Sequence, residues 1–573
     1  MRTYIVLILS LPILFSITMI ACSPTKSDEN KLRDFITNHL KVIEPKLKAM
    51  NLADWNANLT GDKKFYDERA VIELEVNTIR SNKSDFAFLK DLKEKGTIKD
   101  SLLQRQLTIL FNQFAKNQID ITLMKQIVDK QAEIASKFNT FRGRINGKEV
   151  NDNEIADILK NERNSAKRKL AWEVSKQVGR EVAPMVIELV KLRNQAAKQL
   201  GFENYYVMSL ATDEQNADEV IAIFDNLKQL TDEPFRQMKQ VLDTSLAKRF
   251  GVKVQDIKPW HYANPFFQEV SEYGEADLDK YFKGKNIEEI SRTFFAGIDL
   301  PVDDILKNSD LYPRKGKYQH AFCNDIDRLG DVRIMCNLAD NLYWMDTQLH
   351  ELGHAVYSKY VNKDLPFLIR TDAHTFMTEA IAQIMGRQAY NVDWLQTMVG
   401  INEKEKPLLQ KALRDNKRIS MLAFSRWSQV MVRFERALYQ NPDQDLNKLW
   451  WDFVEEYQFV KRPEKRNESR ILRDEPDWAA KIHVTQYPCY YHNYQLGELA
   501  ASQILNTIIR DIIKQQIRPK GRTEISFAAK PDIGKFLKEK IFVPGSSYYW
   551  NDLLKNATGE GLTPKYFVEE FVK

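Results

Sequence analysis

The sequence predicts a mostly α-helical protein with one small β element. Three observations carry this. Apolar residues recur at helical spacing from about residue 30 to about residue 250. With 21 Gly and 19 Pro in 573 residues, the chain is too poor in turn formers for an all-β or repeat scaffold. The 30 Phe, 22 Tyr and 10 Trp can fill large cores between helices, which excludes disorder as the main state. The 84 basic and 79 acidic residues leave a net charge of +5, so nothing points to nucleic acid as a partner. Four cysteines in a chain this long exclude a disulfide scaffold.

At the N-terminus, Arg2 precedes an uncharged, mainly apolar run from Tyr4 to Ala21. A small residue then stands before Cys22, and the polar stretch from Ser23 to Asp28 follows. This pattern resembles a bacterial lipoprotein signal, with Met19 where Leu is usual. An uncleaved anchor and ordinary cleavage without lipid are the alternatives. The expected division is a signal peptide over 1–21, a lipid-anchor tether and first helix over 22–48, and a helical domain over 49–573. No later apolar run is long and uncharged enough to span a bilayer. The body is therefore expected outside the cytoplasm, periplasmic or at the cell surface, held to a membrane through Cys22.

The helical logic is visible in one segment. Met185, Leu189, Leu192 and Ala196 form one face, with Glu188, Lys191 and Gln195 between them for water. Pro184 suits the first turn of a helix starting there. The helical trend breaks once: Tyr318–Asn324 and Val332–Leu338 read as two strands, with Gly330 in the turn region between them. From Trp344 the chain returns to helix, and Asn362–Pro366 reads as its end, because proline cannot continue it. A second helix is expected from about Thr375 to Tyr390.

On the first of these two helices stands His350-Glu351-Leu352-Gly353-His354. Residues i and i+4 share a helix face, so both imidazoles can reach one metal ion. Glu351 is then placed to take a proton from an attacking water. Six of the eight His fall between His320 and His492, which suits a site assembled late in the chain. Zinc needs a third protein ligand and an open position. Asp364, Asp372, His374 and Glu379 are the candidates. Glu379, 25 residues after His354, is the first choice, because two antiparallel helices joined by a loop can return it to the metal. His374 is the second.

These residues resemble the angiotensin-converting enzyme family of zinc peptidyl-dipeptidases. The matching segments are His350–His354, Lys363-Asp364-Leu365-Pro366 and Glu379-Ala380-Ile381. Upstream stand Ala53–Thr60 and His320-Ala321. Downstream stand Trp450-Trp451, Lys481-Ile482-His483 and Tyr491-His492-Asn493-Tyr494. The resemblance spans about residues 50 to 500. The thimet oligopeptidase family shares the metal helix and a tyrosine-rich segment.

The resemblance implies a large two-lobed helical metallopeptidase with a central groove and the β element near the metal. It implies Zn²⁺ on His350, His354 and Glu379, with Glu351 as base and peptides as substrates. His483 would hydrogen-bond the substrate backbone, and Tyr494 would donate to the oxyanion. His320 and Ala321 would line the substrate, the latter through its backbone as an added strand would. Lys481 and Tyr491 would hold a C-terminal carboxylate, which implies release of C-terminal dipeptides. The alternatives are an oligopeptidase cutting internal bonds and a peptide-binding lipoprotein without turnover. Three positions depart from the family pattern. Gln383 stands for an Asp behind a zinc His, Asn493 replaces a chloride-binding Arg, and no Gln matches the carboxylate clamp, with Trp260-His261-Tyr262 its nearest candidate region. Cys323 and Cys336 are candidate cross-strand partners in an oxidising compartment.

Overall fold

The computed structural model describes residues 27–150, 152–270, 278–318, 321–464, 475–514 and 525–572. The proposed signal peptide, Cys22 and His320 lie outside these residues. Helix makes up 71% of the structure, as the periodicity predicts. The first helix is Asp28–Thr60: the Ser27 side chain accepts from the Asn30 N–H at its start, and Gly61 closes it at φ 71°. The division drawn after residue 48 falls inside this helix, so it marks no break in the backbone.

Leu32 and Ile36 of the first helix pack with Leu89 and Leu92 and with Leu103, Leu107 and Leu110, all buried. At roughly 1.5–3 kcal/mol for each fully buried aliphatic side chain, this stripe fixes the helices Lys83–Lys95 and Ser101–Ala115 against the N-terminal one. The far end of the first helix reaches a different partner. Trp55 stands edge-on to Phe322 at 6.0 Å, and the Asn51 amide donates to the backbone oxygens of Asp325 and Ile326 at 3.2 Å. The segment Ala53–Thr60 thus braces the β element beside the site.

The helix around Met185 is longer than the sequence suggests. It runs from Ser165 to Gln199 straight through Pro184. Pro184 is exposed, so the carbonyl left without its partner one turn back faces water rather than core. The buried face is turned slightly from the predicted one. Val182, Val186, Leu189, Arg193 and Ala196 are buried, while Met185 and Leu192 are half-buried. Glu188, Lys191 and Gln195 are exposed as expected.

Among the described residues two hairpins occur, not one. The predicted element is Phe322–Asp325 paired antiparallel with Val332–Met335, shorter at both outer ends than expected. The second pairs Gly143–Ile145 with Lys148–Val150. Its turn is Asn146-Gly147, both at positive φ (52° and 82°), a sequence signal for a tight hairpin turn. Cys323 faces Ile334 across the first hairpin, and Cys323, Cys336 and Cys489 are free thiols. The register offsets Cys336 from Cys323, so the suggested bridge does not form. Among the described residues no helix is long and apolar enough to cross a membrane.

Candidate active site

The helix Leu342–Tyr360 starts at Asn341, whose side chain accepts from the Trp344 N–H at 2.9 Å. Met345, Leu349, Leu352 and Val356 form its fully buried stripe. His350 and His354 are turned away from that stripe, toward a cleft of about 670 Å³. The loop after Tyr360 carries a short turn at Phe367–Ile369 and feeds the helix Thr375–Gly386. Pairings run in opposite order along the two helices: His350 beside Gly386, Gly353 against Ala382, and His354 bonded to Thr378. The helices are therefore antiparallel, as the motif spacing requires.

Gly353 permits this close crossing. A Cβ there would stand 2.7 Å from Ala382 Cα, so any side chain would push the helices apart. Gly497 does the same for a third helix, His492–Thr507, where a Cβ would meet the Glu379 Cβ at 3.2 Å. Small residues on two helices thus let Glu379 and the histidines meet.

Glu379 Oε2 lies 3.6 Å from His350 Nε2 and 3.9 Å from His354 Nε2. The three ligand atoms all lie within 4.8 Å of one another, the single such cluster among the described residues. A tetrahedral ion with bonds near 2.1 Å sets its ligands about 3.4 Å apart, so this donor set fits zinc with little movement. His354 Nδ1 is 2.8 Å from the Thr378 hydroxyl. With Nδ1 donating to that oxygen, Nε2 keeps its lone pair for a metal. Burial holds His350 down at about 4 and His354 well below the usual imidazole value, so both are neutral and free to ligate. Burial, with the Glu379 charge adding to it, pushes Glu351 up to about 8. Burial, with Glu498 adding to it, pushes Glu379 up to about 7. These are the values of carboxyls without a cation, and a divalent ion would reverse them.

Among the remaining predicted residues, Ala321 and Tyr494 line the same cleft, with Cys323, Asp325 and Asp372. Tyr494 has its pKa pushed up to about 12 by burial, so it keeps its proton as a donor at neutral pH. His374 is engaged elsewhere. It caps the Thr375–Gly386 helix through Nδ1, and its Nε2 sits 2.9 Å from the Asp213 backbone oxygen. Asp364 is exposed, in the loop after the motif helix. Gln383 lies at the cleft with a buried Oε1 that has no hydrogen-bond partner, so it does not brace a histidine. Asn493 accepts from Gln215 at 2.8 Å, and His492 bonds the same glutamine at 2.6 Å.

Lys481, His483 and Tyr491 form a second group. His483 packs edge-on against Tyr491 at 4.9 Å and lies 6.0 Å from Tyr494, ring to ring. Its Nδ1 is buried without a partner. Burial, helped by the Lys481 charge, lowers its pKa to about 4. Lys481 Nζ lies 5.8 Å from the Tyr491 ring and donates to Gln268 Oε1 at 2.6 Å. Gln268 is a residue that the sequence analysis did not single out. It follows Phe267, held at positive φ (52°), and the Gln458 amide ties down the carbonyls of Phe266 and Phe267. The region Trp260–Tyr262 is instead core: Arg168 donates to the carbonyls of Trp260 and Tyr262, and His261 bonds Ser165.

The chain matches two family models. Residues 26–257 match angiotensin-converting enzyme, and residues 307–573 match peptidase family M3. Angiotensin-converting enzyme of Rattus norvegicus is 24% identical over 444 residues, 71% of this chain and 32% of that protein. Carboxypeptidase 1 of Bacillus subtilis is 22% identical over 273 residues, 44% of this chain and 51% of that protein. An inactive angiotensin-converting enzyme-related protein of Caenorhabditis elegans is 22% identical over 455 residues, 71% of this chain and 48% of that protein. The chain thus spans about half, or less, of the relatives it matches. With the two histidines and the glutamate of the motif helices brought together, these matches support a metallopeptidase family like angiotensin-converting enzyme.

Proposed function

We propose that the protein is a zinc-dependent peptidase that cleaves near the C-terminus of peptides, releasing dipeptides. The observation that carries this reading is the His350–His354–Glu379 donor set opening, beside Glu351, onto a polar cleft. A bound zinc ion supplies Lewis acidity and makes water nucleophilic near neutral pH. Glu351, next in the chain to His350 and lining the same cleft, takes the proton of the attacking water and passes it to the leaving nitrogen. Tyr494 donates to the oxygen on which charge develops, and His483 holds the substrate backbone. Lys481, Gln268 and Tyr491 receive the free carboxylate. Intact His350, Glu351 and His354 argue against a binding protein without turnover. Loss of peptide cleavage with a chelator, and its return with zinc, tests the metal chemistry.

The carboxylate pocket makes the direction of cleavage testable. Lys481 is nearly buried, and among the described residues its ammonium makes one hydrogen bond, to the neutral Gln268. An amide end would leave that charge unpaired, so free-acid peptides are expected to be favoured about ten- to a hundredfold, from roughly 1.5–3 kcal/mol for a charge-assisted contact. Lys481→Ala should erase most of this preference and leave the zinc content unchanged. Burial lowers the Lys481 pKa to about 8, against the opposing charge of Glu269. Above that pH the free enzyme carries a neutral amine, so kcat/KM for acid peptides should fall on the alkaline side while that for amides holds. Equal cleavage of acid and amide peptides at internal bonds would favour the oligopeptidase reading.

The anchoring rests on the sequence around Cys22 alone. A thioether-linked lipid needs that sulfur, so Cys22→Ser should move the protein out of the membrane fraction or block its processing. A variant that fractionates like the wild type removes the lipoprotein assignment.

A further inference from the structure

Behind the proposed carboxylate pocket stands a fully buried indole. Trp427, on the helix Lys406–Gln440, has no exposed surface. Its Nε1–H donates to the Tyr491 hydroxyl at 2.6 Å. The same ring lies 5.3 Å below Lys481 Nζ, 5.3 Å from the Phe266 ring and 5.8 Å from Trp450. One side chain therefore backs the lysine, the tyrosine and the loop that presents Gln268.

The chemistry of that bond has a direction. An indole N–H can only donate, whereas a tyrosine hydroxyl can donate once and accept. With the indole filling an acceptor position, the hydroxyl proton must point elsewhere, and no described residue accepts it. Lys481 is already donor-only. The Tyr491 hydroxyl proton and the Lys481 ammonium, which lies 5.8 Å from the Tyr491 ring, are then two neighbouring donors left for a ligand end. A carboxylate offers two acceptor oxygens and no donor, while a primary amide turns N–H groups toward one of the two.

Resting on the carboxylate reading above, we propose that Trp427 is a positioning residue that fixes Tyr491 as a hydrogen-bond donor and so sets the preference for peptides ending in a free carboxylate. The indole acts through the hydroxyl, not through contact with substrate.

The test is the ratio of kcat/KM for a free-acid peptide to that of its amide, because both substrates meet the same metal-loaded enzyme. Trp427→Phe keeps an aromatic ring and removes the donor. It should lower the ratio about three- to tenfold, as expected for one hydrogen bond, with the loss falling on KM. In a Tyr491→Phe background the same substitution should lower it no further, since the group it acts through is gone. An unchanged ratio in Trp427→Phe, or an equal drop in both backgrounds, overturns the proposal. If Trp427→Phe does not fold, Tyr491→Phe alone must lower the ratio by a similar factor, and an unchanged ratio there overturns it too. If the wild type shows no acid preference, or Lys481→Ala leaves it intact, the carboxylate pocket itself falls, and this role for Trp427 with it.

Discussion

Glu351→Gln is expected to keep its zinc and lose turnover by roughly 10²–10⁴-fold, the usual weight of a general base. The substitution is nearly isosteric, and Glu351 is not one of the three clustered ligand residues, so the metal site should survive. What disappears is the group that accepts a proton from the attacking water. A thousandfold loss corresponds to about 4 kcal/mol of transition-state stabilisation. Metal content measured beside kcat on the same preparation distinguishes the roles. If zinc falls in step with activity, Glu351 is a ligand and the assignment of the base is wrong.

Glu379→Ala should strip the metal. Two imidazoles alone leave zinc under-coordinated, and the variant also removes the negative charge beside the cation. Affinity should fall by more than about a hundredfold, beyond the range typical of residues that merely support a ligand. Titration with a competing chelator measures this directly. His374→Ala is the control, because His374 is engaged with Asp213 and the start of its own helix. It should keep zinc, with any cost appearing as lost helix capping of about 1 kcal/mol. Unchanged zinc in Glu379→Ala together with loss in His374→Ala would transfer the third ligand to His374.

The helical class, the hairpin near residue 330 and the pair of helices bearing His350, His354 and Glu379 were legible because each is written in local spacing. A 3.6-residue period, an i, i+4 histidine pair and a loop ending in proline need no knowledge of the rest of the chain. The continuation of the helix through Pro184 was misread for a related reason. Local propensity favours a helix start there, but burial of Val182, Val186 and Leu189 on either side holds one continuous helix. The hairpin at Asn146-Gly147 carried its own signal, which the surrounding helical pattern obscured.

By itself the sequence pointed to a kind of chemistry: two histidines and a glutamate in a helical motif are the pattern of a metal site with a base. Tertiary packing decided which distant residues join them. Gln268 lies in an irregular loop with no periodicity, and it meets Lys481 because Gln458 holds the loop's carbonyls. Trp427 reads as one more core aromatic until its N–H is found on the Tyr491 hydroxyl. Cys323 and Cys336 stay apart because the strand register sets Cys323 opposite Ile334. The physical reason is common to all three. Which atoms meet depends on positions to about an ångström, set by the strand register for the cysteines and by contacts 64 residues apart in the chain for Trp427–Tyr491 and 213 apart for Lys481–Gln268, and these are fixed only once the cores have packed.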